Sequence, residues 1–137
     1  AAQFYGSTGG LQLVAPVIGI VNSPAGDGYW TYASDGGVFS FGGSRFYGSA
    51  AGISNAKIVG MASTISGKGY WLLGADGGVF AFGDAKFAGS AVDFLVSPAV
   101  GIAASNNGGY WILSPYGHDP RHAPSPSIVS TIRTPKI

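Results

Sequence analysis

Residues 69–90, GYWLLGADGGVFAFGDAKFAGS, decide the fold of this chain, because most of the sequence repeats them. Residues 28–49 read GYWTYASDGGVFSFGGSRFYGS, and a third, shortened copy opens at residue 109 with GYWILSPYGH. The three Gly-Tyr-Trp triplets begin at residues 28, 69 and 109. A repeat of about 41 residues indicates a fold built by stacking one supersecondary unit.

The composition predicts an all-β protein and excludes several classes of function. Among 137 residues there are 24 glycines, and 13% of the residues are aromatic, as expected for short strands joined by many turns. A net charge of +1, from 7 basic and 6 acidic residues, offers no basic stripe for nucleic acid. The chain has no cysteine and therefore no disulfide or thiolate metal site. No apolar run is long enough to predict a membrane span.

Each repeat predicts four short antiparallel strands, which is the size of one β-propeller blade. In the first full repeat they fall at residues 17–21, 29–33, 38–41 and 45–48, with an Asp-Gly hairpin turn before the third. The predicted β domain covers residues 1–117. Its parts are an orphan last strand at residues 4–7 and repeats at residues 17–49, 58–90 and 99–117.

Residues 118–137 form a predicted C-terminal arm that is rich in proline. Residues 127–134 have strand propensity and are able to supply the third strand that the third repeat lacks. The FYGS at residues 4–7 would then supply its fourth strand. The alternative is an arm that becomes ordered only on a partner.

Both faces of the predicted strands are apolar. In the repeat at residues 58–90, Trp71 and Leu73 share one face and Tyr70 and Leu72 share the other. Sheets with two apolar faces are covered on both sides, as propeller blades are. We therefore expect three four-stranded antiparallel sheets in a β-propeller-like arrangement. Three sheets are few for a closed propeller, so the chain either associates with other chains or closes as a β-prism. The charged fraction of 9% favours association.

The pattern GYW-x5-GG-V-F-x-F-G-x3-F-x-G-S resembles a repeat of extracellular and cell-surface proteins of actinobacteria, which is also seen in phage-associated proteins. The triplets at residues 28–30 and 69–71 and the runs at residues 35–42 and 76–83 carry the resemblance, over about residues 4–117. It implies a location at the cell or virion surface and a β-propeller-like architecture. The DGGVFAF run is also similar to a strand of bulb-type mannose lectins, but their sugar-binding motif is absent.

The aromatic pairs of the three triplets are candidate ligand-stacking residues, because aromatic rings bind the apolar faces of sugars. They are Tyr29, Trp30, Tyr70, Trp71, Tyr110 and Trp111. Their repetition equally predicts a shared role in core packing, which we favour. Arg45 and Lys86 occupy matching positions before the last strand and are interpreted as solvated.

Other polar groups give no convincing catalytic or metal site. Asp35 and Asp76 are interpreted as residues that shape Asp-Gly turns, and Asp84 has no counterpart in the first repeat, where Gly43 stands.

Two short motifs are also weak. His118 and His122 are four residues apart, but Pro120 argues against the helix that would bring both onto one metal ion. Ser54 and Lys57 match Ser-x-x-Lys without the accompanying motifs of penicillin-recognising enzymes.

The sequence thus predicts a non-enzymatic, extracellular structural or adhesive protein without cofactor or metal. It would be a subunit of a larger assembly and contact a protein partner or further copies of itself. The alternative is a carbohydrate-binding module for surface or cell-wall glycan.

Overall fold

A computed structural model describes residues 15–92, 98–114 and 128–129 of the chain. Their regular secondary structure consists of β-strands only, so the prediction of an all-β fold is confirmed. The described strands are β1 (Val17–Asn22), β2 (Gly28–Ala33), β3 (Val38–Gly42), β4 (Ile58–Ser63), β5 (Gly69–Gly74), β6 (Val79–Gly83), β7 (Gly101–Ala104), β8 (Tyr110–Leu113) and β9 (Ile128–Val129).

The strands form one sheet per repeat. The first sheet is an antiparallel meander in the order β1-β2-β3, and the second repeats it as β4-β5-β6. Both carry the same register shift in their first strand, between Val17 and Gly19 and between Ile58 and Gly60. In the third sheet β7 and β8 pair antiparallel, and β9 pairs with β8 in parallel orientation. The sequence repeat is therefore also a structural repeat.

The prediction of four-stranded sheets is wrong. Residues 45–48 and 86–89, expected as fourth strands, join no sheet. Gly48 and Gly89 have φ angles of +135° and +114°, which are incompatible with a regular strand. The backbone groups of these segments bond to side chains instead of to a neighbouring strand, as described below.

The predicted termini of the domain lie largely outside the described residues. This applies to the orphan strand at residues 4–7 and to the arm at residues 118–137, apart from Ile128–Val129. β9 lies beside β8, where the first two sheets have their third strand, but it runs parallel rather than antiparallel to its neighbour.

The Asp-Gly turns follow the sequence prediction. The Asp35 carboxylate accepts a hydrogen bond from the Gly37 N–H at 2.9 Å, and Asp76 makes the same bond to Gly78. Gly36, which lies between Asp35 and Gly37, has a φ angle of +94°, a conformation that favours glycine because glycine has no Cβ. Both carboxylates therefore hold the turn between the second and third strands of their repeat.

Two layers of apolar side chains hold the three sheets in an open series. One lies between the first and second sheets and includes Trp30, Tyr70 and Leu72. The other lies between the second and third sheets and includes Trp71 and Tyr110. β5 is buried along its whole length because both of its faces are covered. Within the described part of the chain, no strand of the first sheet makes substantial contact with one of the third, so these sheets do not close as a propeller or a prism.

Candidate functional site at the junctions between repeats

The segments that were expected as fourth strands lie at the junctions between successive sheets. We call residues 45–49 the first strap and residues 86–90 the second strap. Each strap is bonded to the tryptophan of its own repeat. The Trp30 indole N–H donates to the Arg45 carbonyl at 2.7 Å, and the Trp71 indole N–H donates to the Lys86 carbonyl at 2.9 Å.

Each strap is also held by the tyrosine of the next repeat. The Tyr70 hydroxyl accepts a hydrogen bond from the Tyr47 N–H at 2.9 Å and donates to the Gly48 carbonyl at 2.5 Å. The Tyr110 hydroxyl makes the same pair of bonds one repeat later, with the Ala88 N–H at 3.0 Å and the Gly89 carbonyl at 2.5 Å. Two aromatic side chains thus take the hydrogen-bonding role that a strand partner would otherwise have.

The same aromatic residues pack against each other across the junction. The rings of Trp30 and Tyr70 meet edge to face with centroids 5.5 Å apart, and those of Trp71 and Tyr110 do so at 5.2 Å. Burial raises the pKa of the Tyr70 and Tyr110 hydroxyls, while their backbone hydrogen bonds act in the opposite direction. At both described junctions, the face of one sheet that carries the tryptophan therefore packs on the face of the next sheet that carries the tyrosine.

The structure divides the six predicted stacking residues into two groups. Trp30, Tyr70, Trp71 and Tyr110 are buried in the junctions and have no ring face open to a ligand. Tyr29 is half-buried and stacks on Phe41 at 5.2 Å, and Trp111 is 40% exposed. Ligand stacking stays a prediction, and burial restricts it to Tyr29 and Trp111 at the two ends of the series.

Sequence reasoning missed two clefts beside the straps, one at each junction. The first has a volume of about 550 Å³ and the second about 250 Å³, and both lie between loops of neighbouring repeats. Arg45 lines the first cleft and Lys86 lines the second, at matching positions of the repeat. The clefts are further lined by Asp27 and Lys68 in the first and by Asp84 in the second. Cations and carboxylates in a cleft are suited to hydrogen-bond a polar ligand.

Asp84 has a structural role in the second repeat. Its carboxylate accepts hydrogen bonds from the Thr64 hydroxyl at 2.8 Å and from the Ser66 hydroxyl at 2.5 Å. These bonds tie the loop between β4 and β5 to the end of β6. Gly43, its counterpart in the first repeat, offers no side chain for such a bond.

The remaining polar candidates do not form a catalytic or metal centre among the residues that the structure describes. The Ser54 hydroxyl donates to the Ala56 carbonyl at 2.6 Å, which is a local backbone contact. No group of three or more potential metal ligands occurs in the described ranges. His118 and His122 lie outside them.

Comparisons with known proteins leave the family open, because no protein-family model, curated protein or solved structure matches the chain. In the described parts of the structure, we find no helix with the length and apolar character needed to cross a membrane.

Proposed function

We propose that this chain is a non-enzymatic structural or adhesive repeat protein that works as a subunit of a larger assembly. One observation carries the proposal: each end of the series of sheets exposes an apolar side chain whose counterpart is buried at an internal junction. Ile20 of the first sheet is 61% exposed, whereas Met61, its counterpart in the second sheet, is 6% exposed. Trp111 of the third sheet is 40% exposed, whereas its counterpart Trp71 is 1% exposed. Burying such apolar surface favours association.

The arrangement of the sheets supports a propeller-like interpretation. The first strands of successive repeats contact each other, β1 with β4 and β4 with β7. Contact between first strands is expected when blades share an axis. We therefore propose that the three sheets are an arc of blades. In the first two blades, a strap takes the place of the outermost, fourth strand of a propeller blade.

We place this function outside the cell, on the surface of a cell or a virion. The resemblance of the GYW and FxGS pattern to actinobacterial extracellular and phage-associated repeats supports this location. The low charged fraction of 9% supports burial of much of the surface in an assembly.

The test combines the molar mass of the purified full chain with an assay for hydrolysis of peptidoglycan and glycans. We expect a defined assembly and no hydrolysis. A chain that stays monomeric at every concentration would contradict the role as a subunit, and hydrolysis of any glycan would contradict the non-enzymatic role.

The second candidate function is carbohydrate binding, which the two clefts favour. They occur at successive junctions with Arg45 and Lys86 at the same position, and repeated weak sites increase the avidity for a polymer such as a surface glycan. The test is a glycan array with the wild-type chain and the double variant R45A/K86A. Binding by the wild type that the double variant loses would support this function. The matched control is Lys57→Ala, an exposed lysine that lines neither cleft.

A further inference from the structure

The two clefts beside the straps differ in size and in charge. The first, at about 550 Å³, lies within the range of about 300–1,000 Å³ that is usual for ligand pockets, and the second, at about 250 Å³, lies below it. Two cations, Arg45 and Lys68, line the first cleft together with Asp27. In the second, the charged residues of the described lining are Lys86 and Asp84. The first cleft therefore has one more cation than carboxylates, whereas the second is balanced.

The three charged side chains of the first cleft are available to a ligand. All three are exposed, and within the described part of the chain none of them forms an ion pair or a side-chain hydrogen bond. Arg45 belongs to the first strap, and its guanidinium group is suited to bind an anionic group through two parallel hydrogen bonds. Asp27 and Lys68 belong to the loops that precede β2 and β5. The carboxylate of Asp27 is suited to accept hydrogen bonds from hydroxyl groups of the same ligand.

A buried hydroxyl group of the first cleft also lacks a partner. Ser23 is 6% exposed and lines the cleft, and its hydroxyl makes no hydrogen bond to another described residue. Its counterpart in the second repeat, Thr64, donates to the carboxylate of Asp84 at 2.8 Å. In the first repeat Gly43 stands in place of Asp84, so this acceptor is missing. A polar ligand in the cleft would supply the missing partner, and a buried hydroxyl is unfavourable without one.

The polar groups of the second cleft are instead bonded to each other. The Asp84 carboxylate accepts hydrogen bonds from the hydroxyls of Thr64 and Ser66, and all three residues line this cleft. Lys86 is the one cation among its described lining residues. An anionic ligand would therefore meet a single cation there, beside a carboxylate that is already bonded.

We propose that the first cleft binds an acidic saccharide. Arg45 and Lys68 hold the anionic group of the sugar, which is a carboxylate or a phosphate, while its hydroxyl groups bond to Asp27 and Ser23. A neutral sugar would leave both cations unpaired, and a bare anion would meet the charge of Asp27 without offering it a donor. This inference rests on the second candidate function, carbohydrate binding, and names the class of glycan and the cleft that selects it.

The experiment is isothermal titration calorimetry of the full chain with three sugars. Digalacturonic acid carries carboxylates, glucose 6-phosphate carries a phosphate, and α-1,4-galactobiose is the neutral counterpart of the first. The variants are Arg45→Ala and Lys68→Ala, both at exposed side chains. Arg45→Ala keeps the backbone carbonyl that accepts from the Trp30 indole, so the strap is retained. The matched control is Lys86→Ala, which removes the strap cation at the same position of the second cleft.

We expect the wild type to bind an acidic sugar at least about 10-fold more tightly than galactobiose. Arg45→Ala and Lys68→Ala should each weaken that binding by about 10-fold or more, as for the loss of a hydrogen bond to a charged group. Lys86→Ala should change it by less than about 2-fold. The acidic sugar that binds more tightly identifies the anionic group.

Two results would overturn this inference and leave carbohydrate binding standing. In one, neither acidic sugar binds more tightly than galactobiose. In the other, Lys86→Ala loses as much affinity as Arg45→Ala. A wild type that binds none of the three sugars would also overturn the inference, whereas carbohydrate binding itself fails only if the glycan array is blank as well.

Discussion

Substitution of Tyr70 by phenylalanine removes the hydroxyl that joins the second sheet to the first strap and leaves the ring in place. The hydroxyl accepts from the Tyr47 N–H and donates to the Gly48 carbonyl, so the variant leaves two backbone groups without these partners. A buried group that loses its partner costs about 1–3 kcal/mol. Tyr47 and Gly48 are only half-buried, so water replaces part of the loss. We expect a destabilisation of roughly 2–3 kcal/mol in total.

The assay is denaturant-induced unfolding of the wild type, Tyr70→Phe and Tyr110→Phe under the same conditions. Tyr110→Phe removes the equivalent pair of bonds at the second junction, so we expect a similar loss of stability. Tyr32→Phe is the matched control. Its ring is half-buried, but its hydroxyl makes no hydrogen bond within the described structure, so the free energy of unfolding should change by less than about 0.5 kcal/mol.

The outcome that refutes this reasoning is equally specific. If Tyr70→Phe and Tyr32→Phe have the same stability as the wild type, the tyrosine hydroxyls do not hold the straps. Amide hydrogen exchange gives an independent check, because the N–H groups of Tyr47 and Ala88 should be protected in the wild type although they lie outside any strand.

Three further predictions concern the turns, the straps and the response to pH. Gly48→Ala should cost more stability than Gly52→Ala. Both residues have a positive φ angle, but only at Gly48 does the new Cβ also meet an aromatic ring, a clash that costs about 1–3 kcal/mol. Equal losses of stability in thermal melts would contradict this prediction. Asp76→Ala should lower stability by about 1 kcal/mol through loss of its turn hydrogen bond, and Asp76→Asn, which keeps an acceptor, should recover most of it in the same melts. Burial raises the pKa of Tyr70 and Tyr110 above the ordinary value of 10.0, so the unfolded chain loses these protons first and stability should fall as the pH rises above about 10. Urea unfolding from neutral to alkaline pH should show a smaller fall in the double variant Y70F/Y110F, and an unchanged fall would contradict the assignment.

Much of the fold is predictable from the sequence because the repeat fixes its own boundaries. The expected strands at residues 29–33 and 38–41 match β2 and β3 to within one residue at each end. The Asp-Gly turns were predictable from local chemistry, since the carboxylate of Asp35 needs only the N–H two residues away. Burial of both faces of β5 followed from its unbroken apolar character.

The straps were not predictable because their partners are distant side chains. The segment at residues 45–49 reads like a strand, but its hydrogen bonds go to Trp30 of its own repeat and to Tyr70 of the next. Strand propensity contains no information about a hydroxyl 23 residues further along the chain. The available signal was that GYW and FxGS start 18 residues apart in both full repeats, at residues 28 and 46 and at residues 69 and 87. That spacing reflects the junction, and not a fourth strand.

The clefts were missed for a related reason. Arg45 and Lys86 look like ordinary solvated cations in the sequence because one wall of each cleft is a loop of the next repeat. The cleft appears only when the loop of the next repeat is stacked beside it. A cleft that forms between two repeats therefore cannot be predicted from the sequence of one repeat.

The measurement that tests the central claim most directly is the molar mass of the full chain in solution. Light scattering gives this mass over a range of concentrations. The apolar side chains exposed at both ends of the series, Ile20 and Trp111, predict a discrete oligomer with a mass that is a multiple of the mass of one chain. A single-chain mass over the whole range would contradict the account of this protein as a subunit of an assembly.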